Sequence, residues 1–274
     1  MFRKQPLFTL GHTAALIVLL ALTVFPFYLT VLNSFKDRVD ILKRFWGIPA
    51  QWHLDNYATA FRYLLPFLAN SIFITAMIVL GVLILSSLAA YSFARFQFPF
   101  QHVLYFLILM LLMIPGFLLL VPQFILIKDM GLLNTYSGQI FPPIAIGSTM
   151  ATMLIKEFFA GIPKGLFEAA QMEGAPEFNM YVRIAIPLSV PILSVVAIMN
   201  TMQGWNNYIW PLVITSGNSV KPVILALGQI PGTVSQGLGL QLAGYVIASV
   251  PLLILFAATT RTFVAGLTSG SMKG

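Results

Sequence analysis

Leu107-Ile108-Leu109-Met110-Leu111-Leu112-Met113-Ile114 decides the fold class. Eight apolar residues follow one another without alternation. A strand of a membrane barrel would show apolar and polar positions in turn over about ten residues. An unbroken apolar run inside lipid must satisfy its own backbone, which a helix does and an isolated strand does not. The run therefore reads as the middle of a transmembrane helix. Its surroundings agree, because no Asp, Glu, Lys or Arg occurs from 96 to 127.

Five further windows lack formal charge: 5–35, 63–94, 130–155, 184–220 and 222–260. Each exceeds the roughly 20 residues that cross about 30 Å of hydrocarbon as a helix. Together the six windows predict an all-α membrane protein, a single transmembrane domain over 1–274. The expected spans are 10–32, 68–93, 102–126, 137–157, 188–210 and 241–260. Composition supports this, with 58% hydrophobic and 8% charged residues against about 25% charged in a soluble domain. The apolar run behind Arg3-Lys4 reaches Leu32. It is long for a signal peptide and lacks a small-residue cleavage site, so it reads as a retained first span.

The net charge of +7 comes from scattered basic residues that border the spans. That pattern points to a lipid bilayer and away from nucleic acid, which needs a clustered basic face. If both termini lie inside, eight basic residues fall inside and seven outside, so charge alone does not orient the chain. Cysteine is absent, which removes disulfides, thiolate metal sites and a cysteine nucleophile. His12, His53 and His102 are far apart, and no metal site is expected. Gly232 and Gly237 have the glycine spacing of a phosphate loop, but Leu238 stands where its lysine would be. No catalytic motif was found, so neither an enzyme nor a resident cofactor is expected. The spans also lack the mid-membrane ionisable groups that ion-coupled pumps use. Energy for any transport would then come from elsewhere, although uncoupled channels and scaffolds share this absence; a secondary transporter or channel that needs no ATPase is the alternative reading.

Uncharged polar residues do enter the spans. Asn200, Gln203 and Asn207 stand at i, i+3 and i+7, on a helical stripe about 60° wide. Amides so placed can hydrogen-bond a hydroxyl-rich solute in a wet path, or simply another helix. Gln123, Gln139 and Asn70 invite the same two readings. Trp205, Tyr208 and Trp210 offer faces to a sugar, although Trp210, just before Pro211, also fits an interfacial belt, as do Trp46 and Trp52. Pro115 and Pro122 in span three, Pro142-Pro143 in span four, and Pro187 and Pro191 at span five each remove a backbone donor and predict kinks.

Three polar connections join the spans, at about 33–66, 161–186 and 211–240. The middle one carries Glu168, Glu173 and Glu177. Pro163 can open a short helix, Gly174 can close it, and Pro176 can open a second. The result is a helix–turn–helix with an acidic, small-residue surface, suited to docking.

The order Glu168-Ala169-Ala170, Gly174, then Ile184-Ala185-Ile186-Pro187 resembles the EAA signature of bacterial ABC importer permeases. Glu173 stands where aspartate is usual and Ile186 where leucine is usual. Trp205-Asn206-Asn207-Tyr208-Ile209-Trp210-Pro211 resembles the family's W-N-D-x-x-W-P segment, with Asn207 in place of aspartate. The ending from Phe263 to Gly274 is similar to that of MalG-like carbohydrate permeases. This resemblance implies six spans in the cell membrane, both termini cytoplasmic, and an EAA-type coupling helix between helices four and five. It implies a second permease subunit as heterodimer partner and two ATPase subunits, which bind ATP and Mg, so that this chain holds no cofactor. It also implies an extracytoplasmic solute-binding protein. The coupling residues would be Glu168, Ala169, Ala170, Glu173, Gly174 and Ala175. Ser271, Met272, Lys273 and Gly274 would reach the ATPases. The expected solute path is Asn200, Gln203, Asn207 and Gln123. The solute class would be a sugar or sugar derivative; oligosaccharides, monosaccharide derivatives and glycerol phosphate esters all stay open.

Overall fold

A computed structural model describes residues 6–231 and 237–271, with side-chain positions over 11–231 and 237–259. The described elements are helices and connections, with no strand among them. In chain order they are α1 (Pro6–Ser34), α2 (Arg38–Lys43), α3 (Asp55–Arg95), α4 (Gln101–Leu111), a 3-10 turn (Gly116–Leu119) and α5 (Leu120–Asp129). There follow α6 (Tyr136–Ala160), α7 (Lys164–Met172), α8 (Glu177–Met180), a π turn (Tyr181–Ala185), α9 (Ile186–Leu188) and α10 (Val190–Trp205). The last are α11 (Ile209–Ile214), α12 (Val223–Ala226), a 3-10 turn (Leu227–Gln229) and α13 (Leu238–Ser271).

Gly11–Ser34, Asp55–Arg95, Tyr136–Ala160 and Leu238–Thr259 are long and apolar enough to cross a membrane. Gln101–Leu111 with Gly116–Asp129, bent by 95°, and Glu177–Leu188 with Val190–Trp205, bent by 76°, raise the number to six if each pair is one span.

Several features differ from the sequence expectation, among them the end of α13 at Ser271 rather than 260. Span three is broken between Leu111 and Gly116. Pro115 supplies no N–H and sits at ψ 125°, outside the helical range. Span four keeps Pro142-Pro143 inside one unbroken helix. Span five stops at Trp205, short of the expected 210, and the Asn206 backbone N–H and side-chain amide both donate to the Met202 carbonyl, at 3.2 and 2.9 Å. Finally, α3 begins at Asp55 rather than 68; its 41 residues rise about 60 Å, twice the hydrocarbon thickness.

The chain divides into two compact units. The first comprises Met1–Pro66 and Ala226–Val250. Its polar centre is Lys36, fully buried just after α1. The ammonium donates to Asn33 Oδ1 at 2.9 Å and to the carbonyls of Arg44 at 2.7 Å and Phe45 at 3.2 Å. All three of its donors are used. Asn56 Nδ2 ties the start of α3 to the Ser34 carbonyl at 2.9 Å. Asp37 caps α2 by accepting from the Asp40 N–H. Trp46 and Trp52 are largely exposed.

The second unit comprises Phe67–Leu225 and Pro251–Gly274. Ile74, Ile78 and Val82 of α3 pack with Ile140, Ala151, Ile155 and Phe159 of α6 and Val196 of α10. Phe167 of α7 and Met180 of α8 join this core, as do Ala90 and Tyr91 of α3, Ile162 and Ala185.

Candidate functional site

The elbow between α6 and α10 is built by local rules. Pro163 precedes α7, and Lys164–Met172 follows as nine helical residues. Gly174 ends the turn at φ +77°, a left-handed conformation that glycine adopts freely. The Gly174 N–H bonds the Gln171 carbonyl, and the Ala175 N–H bonds that of Ala170, both at 3.0 Å. This 5→2 and 6→1 pair is the Schellman arrangement, which satisfies two orphan carbonyls. Pro176 then precedes α8.

Phe167 anchors α7, buried at 3% exposure, with the Arg95 guanidinium 3.6 Å above its ring. Glu168, Ala169, Glu173 and Gly174 are exposed, whereas Ala170 and Ala175 are half-buried against the core. The helix therefore presents one acidic edge outward, and two of the small residues expected on that edge serve packing instead.

Tyr91 of α3 donates to Glu177 Oε2 at 3.0 Å. The Tyr181 hydroxyl pairs with Ser87 Oγ of α3 at 2.7 Å, and the Tyr91 and Tyr181 rings meet edge to face at 5.3 Å. The elbow is thus tied to α3 as well as to α6 and α10. Glu177 is a partner in that tie, not a free member of the acidic surface.

A cavity of about 350 Å³ opens among α4, the turn after it, α6 and α10. Its polar lining is Gln123, Thr149, Asn200 and Gln203, with apolar walls such as Leu111 and Val196. A second cavity of about 120 Å³ shares Gln123, Asn200 and Gln203 and adds Asn207, Trp210 and the Pro142-Pro143 pair. Asn200 is buried, its Nδ2 held by the Val196 carbonyl at 2.9 Å. Its Oδ1 lies where a Cβ on residue 147 would stand, so Gly147 makes the room. No Asp, Glu, Lys or Arg lines either cavity. Among the described residues no group of three His, Cys, Asp or Glu gathers to hold a metal ion.

Residues 82–268 match the family model of the binding-protein-dependent transport system inner membrane component. The chain belongs to this family. Its members are the permease subunits of ABC transporters, which leave ATP hydrolysis to separate ATPases. The permease is 32% identical over 271 residues to the probable ABC transporter permease protein YurM of Bacillus subtilis, covering 97% of this chain and 90% of that one. It is 33% identical over 261 residues to the arabinooligosaccharides transport system permease protein AraQ of Halalkalibacterium halodurans, covering 92% of each. Its fold is similar to a chain of a bacterial ABC transporter involved in import of the acidic polysaccharide alginate. That match has a TM-score of 0.81 at 19% identity, covering 96% of this chain and 99% of the other.

In this multi-pass permease the four expected pathway amides, Gln123, Asn200, Gln203 and Asn207, come together around the two adjoining cavities. Asn207 lies past the end of α10, and its Oδ1 accepts from the Trp210 N–H at 3.4 Å. Asn70 and Gln139 do not join them. Asn70 Nδ2 donates to the carbonyls of Ser219 and Lys221 at 3.0 Å, and Gln139 Nε2 holds Thr215 Oγ1 and the Val220 carbonyl. Both amides brace the segment before α12, the helix-bonding alternative for such residues. Of the aromatics expected to offer a face to a sugar, Trp205 and Trp210 are buried and Tyr208 is exposed. Of the terminal residues, Met272, Lys273 and Gly274 lie outside the described residues, and Ser271 ends α13. Thr149 and Gly147 escaped the sequence reading, since a threonine and a glycine inside an apolar helix carry no periodic signal.

Proposed function

We propose that this permease is one of two membrane subunits of an ATP-driven importer that brings a carbohydrate across the cell membrane by alternating access. Six spans, with each bent pair counted as one, would place both termini and the elbow on the cytoplasmic side. A second permease subunit would complete the path, two ATPase subunits would sit below, and a solute-binding protein would deliver from outside. The arabinooligosaccharide assignment of a relative at 33% identity supports a carbohydrate.

The observation that carries the reading is the exposed acidic edge of α7, locked at one end by buried Phe167 and at the other by left-handed Gly174. Such a knob is rigid enough to transmit displacement. Glu168 can accept charge-assisted hydrogen bonds from a basic groove on an ATPase, with Ala169 and Gly174 allowing close approach. Ser271 to Gly274 would add a second contact to the ATPase pair. ATP can shift the permease only by favouring one conformation over another, so the docked elbow must move between states. Gln123, Asn200, Gln203 and Asn207 would form this subunit's share of the path. Each amide both donates and accepts, which matches sugar hydroxyls. A cavity of 350 Å³ falls within the range of about 300–1,000 Å³ usual for small-molecule sites.

The test is uptake together with solute-stimulated ATP hydrolysis in the assembled transporter carrying Glu168→Ala or Gly174→Leu. Both activities should fall. Retention of both at the wild-type level removes the elbow from the coupling path.

A further inference from the structure

A second concave region lies apart from the amide-lined cavities, where α3 ends and α4 begins. Its volume is about 760 Å³. Arg95 from the end of α3, His102 from the start of α4 and Lys164 from the start of α7 converge on it, with Glu168 as its one carboxylate. Two permanent cations against one carboxylate leave it net positive. Phe96, Phe98 and Phe100 form its rim, and Phe100 is held at φ 61° with 78% of its surface exposed. The turn itself is fixed, because Gln101 Nε2 donates to the Phe93 carbonyl at 2.8 Å. Arg95 is fixed too, through its stacking on Phe167.

Phe93 also lines a neighbouring groove of about 740 Å³ along α4. Every other side chain of that groove is apolar, from Leu104 and Leu107 through Ile108 to Met113. From Leu104 to Leu111 the helix rises about 10 Å, most of one leaflet's hydrocarbon of about 15 Å. A cationic pocket lined by phenylalanines thus neighbours, through the shared Phe93, an apolar groove of acyl-chain length. Charged residues at the end of a span, followed by an apolar wall, match a phospholipid in both polarity and order.

We propose that this is a binding site for an anionic phospholipid, with the headgroup phosphate between Arg95 and Lys164 and one acyl chain along α4. A soluble anion would use only the upper pocket and would leave the groove empty. A zwitterionic lipid would forgo the net charge. The proposal does not rest on the solute or on the coupling role of the elbow, although Lys164 and Glu168 both belong to α7 and border both regions.

The test is native mass spectrometry of the detergent-purified protein with whatever subunits it carries. It is offered phosphatidylglycerol and phosphatidylcholine of identical chains. Phosphatidylglycerol should be retained in preference. Arg95→Gln and Lys164→Gln should each reduce its retention about fivefold, whereas Arg95→Lys and Lys164→Arg should keep it. The chain-free headgroup glycerophosphoglycerol should not displace it. Equal retention of the two lipids by the wild type means ordinary annular lipid and overturns the site, whether or not the variants fold. Unchanged preference in the double glutamine variant, or displacement by the free headgroup, overturns it equally.

Discussion

The indole Nε1 of Trp210 donates to the carbonyl of Gly138 at 3.0 Å, and Gly138 stands four residues before Pro142. In a regular helix that carbonyl would receive the N–H of residue 142, which proline lacks. Trp210 fills the vacancy from 72 positions away, which accounts for the carbonyl that Pro142 leaves without a helical donor inside an unbroken α6. Trp210→Phe leaves a buried carbonyl unpaired and should cost about 1–3 kcal/mol. In a Pro142→Ala background the backbone N–H returns, and the same substitution should cost little. Thermal unfolding of the four proteins in detergent gives the cycle; equal costs in both backgrounds would refute the compensation.

That bond also shows where sequence reading ends. Trp210 beside Pro211 looks like a belt residue, because its acceptor is visible only once α6 and α11 are packed. The elbow was legible in outline because Pro163, Gly174 and Pro176 act on their own neighbours. Its tie to α3 was not, since Tyr91 and Glu177 are 86 residues apart. The break in span three was announced by Pro115, but nothing local sets a bend of 95°. Gln123 and Gln139 are the same residue type in similar apolar runs. One lines a cavity and the other clasps a loop, a choice made by what packs opposite each.

Gly174 makes a local prediction. Its φ of +77° costs an L-residue about 1–2 kcal/mol, while a Cβ there would meet only open space. Gly174→Ala should therefore fray the end of α7 through backbone strain alone. Gly174→Asn, which tolerates the left-handed region, should be milder. Hydrogen exchange over residues 168–175 reads the difference; equal protection in both variants would mean the Schellman turn is not what ends α7.

Gly147 and Asn200 make a packing pair. Gly147→Ala pushes a methyl into the space of Asn200 Oδ1, and overpacking of this kind costs about 1–3 kcal/mol. Gly147→Ala with Asn200→Ala should recover stability. Solute uptake should stay low in the double variant if the amide belongs to the path. Recovery of both stability and uptake would reduce Asn200 to a packing residue.

Lys36 makes a prediction about pH. Burial lowers its pKa below the ordinary 10.5, and the charge of Asp40 only partly opposes this. Between its folded pKa and 10.5 the unfolded chain holds one proton more than the folded chain. Stability from this group therefore rises with pH across that window, and below it the burial cost is borne in full. Lys36→Met strands Asn33 Oδ1 and the Arg44 and Phe45 carbonyls, so it should lower stability at neutral pH. It should also remove the rise toward 10.5. Unfolding temperatures of both proteins over that range decide it, and parallel profiles would show that Lys36 does not titrate there.

Tyr91 and Glu177 test how motion leaves the elbow. The hydrogen bond at 3.0 Å, with the Ser87–Tyr181 pair beside it, fastens the stretch between α8 and α10 to α3. Tyr91→Phe removes the donor but keeps the ring that packs on Tyr181 and Phe159. The loss should be about 0.5–1.5 kcal/mol, confined to this junction, so that residues 177–188 exchange amide hydrogen faster while the core does not. Glu177→Gln keeps a carbonyl acceptor for the tyrosine and should behave nearly as wild type. If displacement of α7 reaches the path through α3, Tyr91→Phe should lower uptake more than ATP hydrolysis, because the motor still turns against a slackened link. An equal fall in both would place the defect in docking. No change in either would show that α6 and α10 carry the motion without α3.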